Sequence, residues 1–447
     1  MPKMVSSQSS GDLLLPSERI DPLALSHLTD SQRTQLLTLL DEFPDVFSNT
    51  PGLCPLVMHE IRVTDDFKPK CFQAYRLPEP LKVEVARQIR ELLDLGFIKP
   101  SRSPMVSPVV CVLKKNEGDL KTPAVRLTVD YRYLNRYTVG EMVPMPAIEE
   151  MIHRVGRGNF ITTADIRSSY WQIAIKPEDT WLTAFITDFG VFEWVRAPFG
   201  LKWSGNSLVR AMQITLSPLR EFADSCVDDM SVFSDVWLQH LTHICSFLLS
   251  VKSSGLTLNL KKCRFALPEV TFLGHVIGSG KHGPDPEKVR AIECLQTPKT
   301  KSDLRKVLGF FSYFRMYLSD FALVARPLTD LTGKSKPNVL EWSQEHQTAI
   351  NKLKSMLSNI VRLNVVQYGE PFGLSVDASR VAVGSCIFQC TEDGSEKPIA
   401  FASLKLTTTQ QAWATVEMEA FAVIWSLQKF RNLTFHAHII VYSDLTQ

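Results

Sequence analysis

The sequence predicts an α+β protein in at least three pieces. Three observations lead there. Residues 80–283 interleave short β-type runs with helical periodicities. After Gly283-Pro284 the texture is mostly helical to about residue 360. From about residue 370 strand-like runs return around a single helix.

The elements follow in order. Residues 1–25 are rich in Ser, Pro and Asp and read as a loose lead-in. Thr29-Asp30-Ser31-Gln32 is a capping box that opens a helix through Leu36, Leu37, Leu40 and Phe43. A proline-rich arm to residue 80 reads as extended, with a strand near Met58–Val63. Leu81, Val85, Ile89, Leu92 and Leu93 mark a helix that Gly96 stops. Val109–Leu113, Val125–Val129 and Phe160–Ala164 are short strands, and Thr183–Val195 alternates. Ser207–Leu216 is helical, Ser225–Ser234 a hairpin, and Leu241–Val251 a helix before Gly255. Helices are then expected at Glu287–Leu295, Thr300–Leu318 and Gln344–Leu357. The last piece has strands Phe372–Val376, Ala382–Gln389 and His438–Tyr442, and a helix over Thr415–Phe430.

Composition narrows the class without naming a function. The 447 residues are 45% hydrophobic and 21% charged, which excludes a disordered, collagen-like or coiled-coil chain. Forty-nine basic and 47 acidic residues give a net +2, so bulk charge is silent about nucleic acid. No apolar run approaches the roughly 18 residues of a membrane span. The first residues lack the apolar core of a secretory signal. Nine scattered cysteines without a Cys-x-x-Cys pair indicate neither a zinc knuckle nor a disulfide framework, and favour a reducing compartment.

Asp228-Asp229 is the sharpest chemical signal. Both carboxylates interrupt an apolar run, Cys226 to Phe233, where uncompensated charge is costly. A tight turn between strands would aim both at one cation. Asp165 also ends an apolar β-type run and is the natural partner. Hard carboxylate oxygens suit Mg²⁺, whose shell substrate phosphates usually complete. Two such ions, about 3.5–4 Å apart, can activate a 3′ hydroxyl and stabilise a leaving pyrophosphate. An isolated Asp-Asp is usually a solvated turn, so its surroundings decide.

Those surroundings form an ordered series. Ile98 to Pro104 and Ser107-Pro108-Val109-Val110 come first, then Lys114-Lys115 and Arg126 to Asn135. Phe160 to Ile173 holds Asp165 and Tyr170-Trp171-Gln172. Ala197-Pro198-Phe199-Gly200-Leu201-Lys202, Cys226-Val227-Asp228-Asp229, Lys261-Lys262-Cys263, Phe272-Leu273-Gly274-His275 and Thr300–Tyr317 follow. The series resembles the reverse transcriptase of gypsy-type LTR retrotransposons and, more distantly, retroviral Pol, across roughly residues 30–447.

The resemblance implies a right-hand polymerase of fingers, palm and thumb, a helical connection, and an incomplete ribonuclease H-like α/β domain. It divides the chain into a lead-in and arm at 1–79, fingers and palm at 80–283, thumb and connection at 284–365, and the ribonuclease H-like part at 366–447. It implies an RNA-directed DNA polymerase that uses Mg²⁺, or Mn²⁺ as substitute, on a primed RNA or DNA template with deoxynucleoside triphosphates and no membrane partner. It also implies cytoplasmic, virus-like particles and passage to the nucleus. Asp165, Asp228 and Asp229 become the metal-binding catalytic acids. Tyr170 becomes the ring that leaves no space for a 2′ hydroxyl. Lys115 and Arg126 become triphosphate clamps. Phe199 and Gly200 support the template and incoming base. Lys262, or Lys261, becomes the donor to pyrophosphate. Phe272–His275 becomes the primer-gripping turn.

The end of the chain is similar to the ribonuclease H domain that follows this polymerase. Asp377, Glu419 and Asp444 would be its metal-binding acids. The helical wheel does not choose between Glu417 and Glu419, which both flank the stripe Val416, Ala420, Val423 and Leu427; the family register favours Glu419. The chain stops soon after Asp444, which predicts an open sheet edge and weak or absent nuclease activity.

Some positions depart from the family pattern. Cys226 stands where Tyr is usual, Ser169 where Gly is common, and Trp203 to Val209 replace Asn-Ala-Pro-Ala-Thr-Phe-Gln. The alternative reading is therefore a catalytically degenerate nucleic-acid-binding retroelement remnant. His240 and His243, three apart, read as helix-surface residues.

Overall fold

The computed structural model describes residues 14–119, 122–293 and 295–443. It divides into two compact units, Met1–Pro146 with Thr162–Leu267, and Ala147–Ile161 with Pro268–Gln447. The border at Leu267 falls inside the interval expected for fingers and palm.

In the first unit, Thr29 caps helix Asp30–Asp41 through the expected reciprocal bonds with Gln32. Helix Glu79–Asp94 buries Val85, Ile89 and Leu92 and ends where Gly96 turns left-handed at φ 67°. A five-stranded sheet runs in the order Ile98–Pro100, Gly190–Trp194, Phe185–Thr187, Ser107–Asp119, Thr122–Val129. The alternating stretch from Thr183 is thus two antiparallel strands joined by Asp188-Phe189, with Gly190 opening the second at φ 135°. Tyr131 is fully buried, and its hydroxyl donates to the Thr183 carbonyl at 2.8 Å, so no polar atom is stranded.

A second sheet positions the acids. Strands β1 (Phe160–Asp165), β2 (Ala223–Cys226), β3 (Asp229–Ser234) and β4 (Arg264–Leu267) stand in the order β2-β3-β1-β4. Helices α1 (Ser204–Leu216) and α2 (Trp237–Ser253) pack on β2 and β3 respectively. Ile244, Phe247, Leu248 and Val251 of α2 are buried. Each such side chain contributes about 1.5–3 kcal/mol.

In the second unit, β5 (Glu269–Phe272), β6 (His275–Gly278), β7 (Lys281–Pro284) and β8 (Leu363–Asn364) form an antiparallel sheet. The helices Lys301–Tyr313, Phe321–Leu331 and Gln344–Ser358 share a core of Leu304, Phe311, Phe314, Leu328 and Leu353. The second of these was not legible in the sequence, because Pro327 lies inside it. A last sheet has the order β11 (Glu396–Lys405), β10 (Ala382–Cys390), β9 (Phe372–Ala378), β12 (Ile439–Ser443). Helix α3 (Thr415–Lys429) covers it.

The apolar stripe read along α3 is not the face it buries. Met418, Glu419, Ala422 and Ser426 point inward, and Val416 is 64% exposed. Small residues win there because the helix lies close on β9.

Candidate active site

The β2–β3 hairpin pairs Cys226 with Asp229, so its loop is Val227-Asp228 alone. Val227 has φ 59° and Asp228 does not enter the left-handed region. A two-residue turn of this kind favours Gly first, because a Cβ there meets the backbone. A β-branched Val instead stores roughly 1–2 kcal/mol of strain. That strained turn holds Asp228 at the tip, with Asp229 as the first residue of β3.

Asp165 ends β1, beside β3 in the sheet. Its carboxylate accepts the Lys262 ammonium at 3.0 and 3.2 Å. The loop that carries Lys262 is fixed by the Asn259 N–H, which donates to the Asp165 carbonyl at 2.8 Å. This separates Lys262 from Lys261.

Electrostatics tie the three acids together. The Asp229 carboxyl is pushed above the usual carboxylate range by desolvation, then by the charges of Asp228 and Asp165, against the pull of Lys262. The Cys226 thiol is also raised, by burial and then by Asp229 and Asp228. Burial and Asp228 raise the Tyr170 phenol. Among the described residues, no three His, Cys, Asp or Glu side chains stand close enough together to be read as a metal centre. The donor chemistry nonetheless fits a divalent cation: hard carboxylate oxygens whose like charges act on Asp229, with one ammonium as partial compensation.

Aromatic and basic residues pack together beside Asp228. Tyr170 lies on a short 3₁₀ turn, Ser169–Gln172, entered through left-handed Ser168 at φ 46°. Its ring meets Phe199 edge-on at 5.1 Å. Arg126 lies over Phe199 at 5.9 Å. Gly200, at φ 93°, follows, and its carbonyl accepts from the Asn135 amide at 2.8 Å. The Asn135 side-chain oxygen accepts from Lys202 N at 2.8 Å, so one amide clamps the loop from both sides. An Asn four residues after a buried Tyr gives no signal of this role in the sequence. Trp203 adopts φ 69°, a conformation that the Asn usual there takes readily and Trp does not. Lys115 lies on strand Ser107–Asp119, and its side chain is outside the described residues.

His240 is not a surface residue. It is buried, with one ring nitrogen 2.9 Å from Thr162 Oγ and the other 2.9 Å from Ser234 Oγ. Burial pushes its pKa down to about 3. His243 stacks on Phe222 at 3.7 Å.

In the second unit, Asp377 is exposed near the end of β9. Glu417 accepts the Ala414 N–H at 2.9 Å and caps α3. Glu419 is buried, 3.4 Å from the Ser443 hydroxyl on β12. Because Val376 pairs with Ser443, Glu419 reaches the same sheet end as Asp377. The structure thus parts the two glutamates that the helical wheel left equivalent. Asp444 is outside the described residues.

A family model described as "Reverse transcriptase (RNA-dependent DNA polymerase)" matches residues 112–277. Another, "RNase H-like domain found in reverse transcriptase", matches residues 342–441. Residues 112–277 and 342–441 thus match a reverse transcriptase domain and the RNase H-like domain found with it. It is 35% identical to the Retrovirus-related Pol polyprotein from transposon opus of Drosophila melanogaster, covering 96% of this chain and 44% of that protein. It is 31% identical to the corresponding polyprotein from transposon gypsy, over 93% and 41% of the two chains. The chain therefore spans less than half the length of the curated relatives it matches. Among solved structures, a foamy viral protease–reverse transcriptase in complex with double-stranded DNA aligns with TM-score 0.86 and 22% identity, over 100% and 77% of the chains. A foamy viral protease–reverse transcriptase in complex with an RNA/DNA hybrid aligns with TM-score 0.81 and 22% identity, over 100% of this chain and 59% of that one. Both share the expected α+β fold.

Proposed function

We propose that this chain is an RNA-directed DNA polymerase: the 3′ hydroxyl of a primer attacks the α-phosphate of a deoxynucleoside triphosphate on an RNA or DNA template. One observation carries the reading. Asp165 ends β1 beside the strained β2–β3 turn that carries Asp228 and Asp229, and the charges of the first two raise the proton affinity of the third.

Asp165, Asp228 and Asp229 would hold a divalent cation, Mg²⁺ or Mn²⁺. When bound, such a cation neutralises phosphate charge and lowers the proton affinity of the attacking hydroxyl. The chain's own residues do the positioning. The Tyr170 ring, braced by Phe199, excludes a 2′ hydroxyl sterically. Arg126 offers a bidentate fork to the triphosphate, with Lys115 as a second cation. Lys262, drawn to Asp165, is placed to protonate the leaving pyrophosphate. The ribonuclease H-like part would use Asp377, Glu419 and Asp444 on the RNA strand of a hybrid.

Primer extension on poly(rA)/oligo(dT) with each metal tests the reading. Extension that disappears in Asp228→Asn is expected. Salt-sensitive binding without extension in either metal would leave a binding remnant instead.

A further inference from the structure

The hairpin that carries the Leu273-Gly274 turn is fastened within the second unit by a buried polar knot. The Tyr317 hydroxyl lies 2.9 Å from His275 Nδ1 on β6 and 2.9 Å from His282 Nδ1 on β7. His153, on helix Ile148–Val155, meets the His282 ring at 90° with centroids 5.0 Å apart. All four side chains are buried. Neither ring nitrogen of His153 has a hydrogen-bond partner, and the His282 ring faces the backbones of Asn364 and Ile399. His275 stacks on Tyr313, whose hydroxyl donates to the Leu273 carbonyl in the turn itself. The turn is a tight one, with Leu273 at φ 50° and Gly274 at φ 75°.

One hydroxyl proton serves two imidazoles. Tyr317 donates to one Nδ1 and accepts from the other, so the two histidines must hold opposite tautomers. Protonating both leaves the phenol with no acceptor and puts charge into a dry interior.

We propose that His153, His275, His282 and Tyr317 form a proton-sensitive knot that positions the primer-gripping turn. Tyr317 and the histidines are positioning residues, acting through Tyr313 on the turn. The proposal rests on the polymerase reading for its partner, a primer–template duplex.

The electrostatic surroundings favour the neutral state. Burial holds His153 and His275 down to about 3 and His282 down to about 4. Next to burial, His282 and Arg157 press on His153, and His282 and Lys288 press on His275. The backbones of Asn364 and Ile399 weakly favour a proton on His282. Tyr313 and Glu149 face Tyr317. The folded values lie below the ordinary 6.5, so the knot is fully stable above about pH 6.5. It weakens as pH falls from there toward about 4. Opening takes up to three protons, so its equilibrium can change by up to about 10³-fold per pH unit.

The test follows the full chain binding a labelled primer–template at constant ionic strength, from neutral pH to about pH 5. Affinity is expected to fall at least about tenfold per pH unit below about pH 6. His153→Leu should reduce that slope by one proton, and an unchanged slope would overturn the proposal. Histidine ring NMR with hydrogen exchange on the wild-type chain needs no variant. The three rings should stay neutral until the hairpin amides lose protection together. Independent titration near 6.5 with the hairpin still protected refutes the knot. A wild-type chain that binds no primer–template at any pH instead refutes the polymerase reading, while the ring signals still test the knot.

Discussion

Two sets of acids in this chain are built in opposite ways. Asp165, Asp228 and Asp229 stand at the ends of neighbouring strands, where the charges of the first two raise the proton affinity of Asp229 and Lys262 pairs with Asp165. Asp377 stands exposed, while Glu419 is buried under α3 beside Ser443. The first set stores charge repulsion and backbone strain in a two-residue turn. The second is dispersed, and its helix is held by ordinary capping. A site where neighbouring carboxylates raise the proton affinity of Asp229 is poised for a cation; a dispersed one needs other groups to complete it.

The largest effect that would break this contrast lies in the crowded set. Asp228→Asn should lower single-turnover extension by on the order of 10³-fold or more, because a charge at the reacting phosphate is lost. Near-full activity in that variant would remove the distinction between the two sets.

Lys262→Gln removes the one charge that pulls the Asp229 carboxyl down. The acid limb of the extension rate should then move to higher pH, since ionised Asp229 is reached later as pH rises. Global stability should change by less than about 1 kcal/mol, because the ammonium is largely exposed. An acid limb that stays in place would show that the crowding is not felt in the reaction.

Val227→Gly should stabilise the chain by about 1 kcal/mol in urea melts, since Gly accepts the left-handed turn freely. A loss of that size would show that the turn is unstrained.

In the dispersed set, Glu417→Ala should cost about 1 kcal/mol, from the lost cap, and leave hybrid cleavage alone. Glu419→Gln should do the reverse. If the two variants exchange effects, the assignment of Glu419 falls.

Much of the architecture was legible in the sequence. The capping box at Thr29, the Gly96 stop and the Ser225–Ser234 hairpin all follow from local chemistry. The losses have specific causes. Pro327 disguised a helix, and the apolar stripe on α3 hid the face that is buried. His240 was misread because a histidine on a helix gives no sign that two hydroxyls await it in the core.

The candidate site divides the same way. By itself the sequence determined which acids stand at strand ends and which ring follows Asp165, because strand periodicity and turn chemistry are properties of neighbours along the chain. Only the tertiary structure decided that Lys262 and not Lys261 meets Asp165, that Asn135 clamps the Gly200 loop, and that Glu419 faces the sheet while Glu417 caps its helix. Those choices depend on burial and on contacts between residues far apart in sequence, which no local pattern encodes.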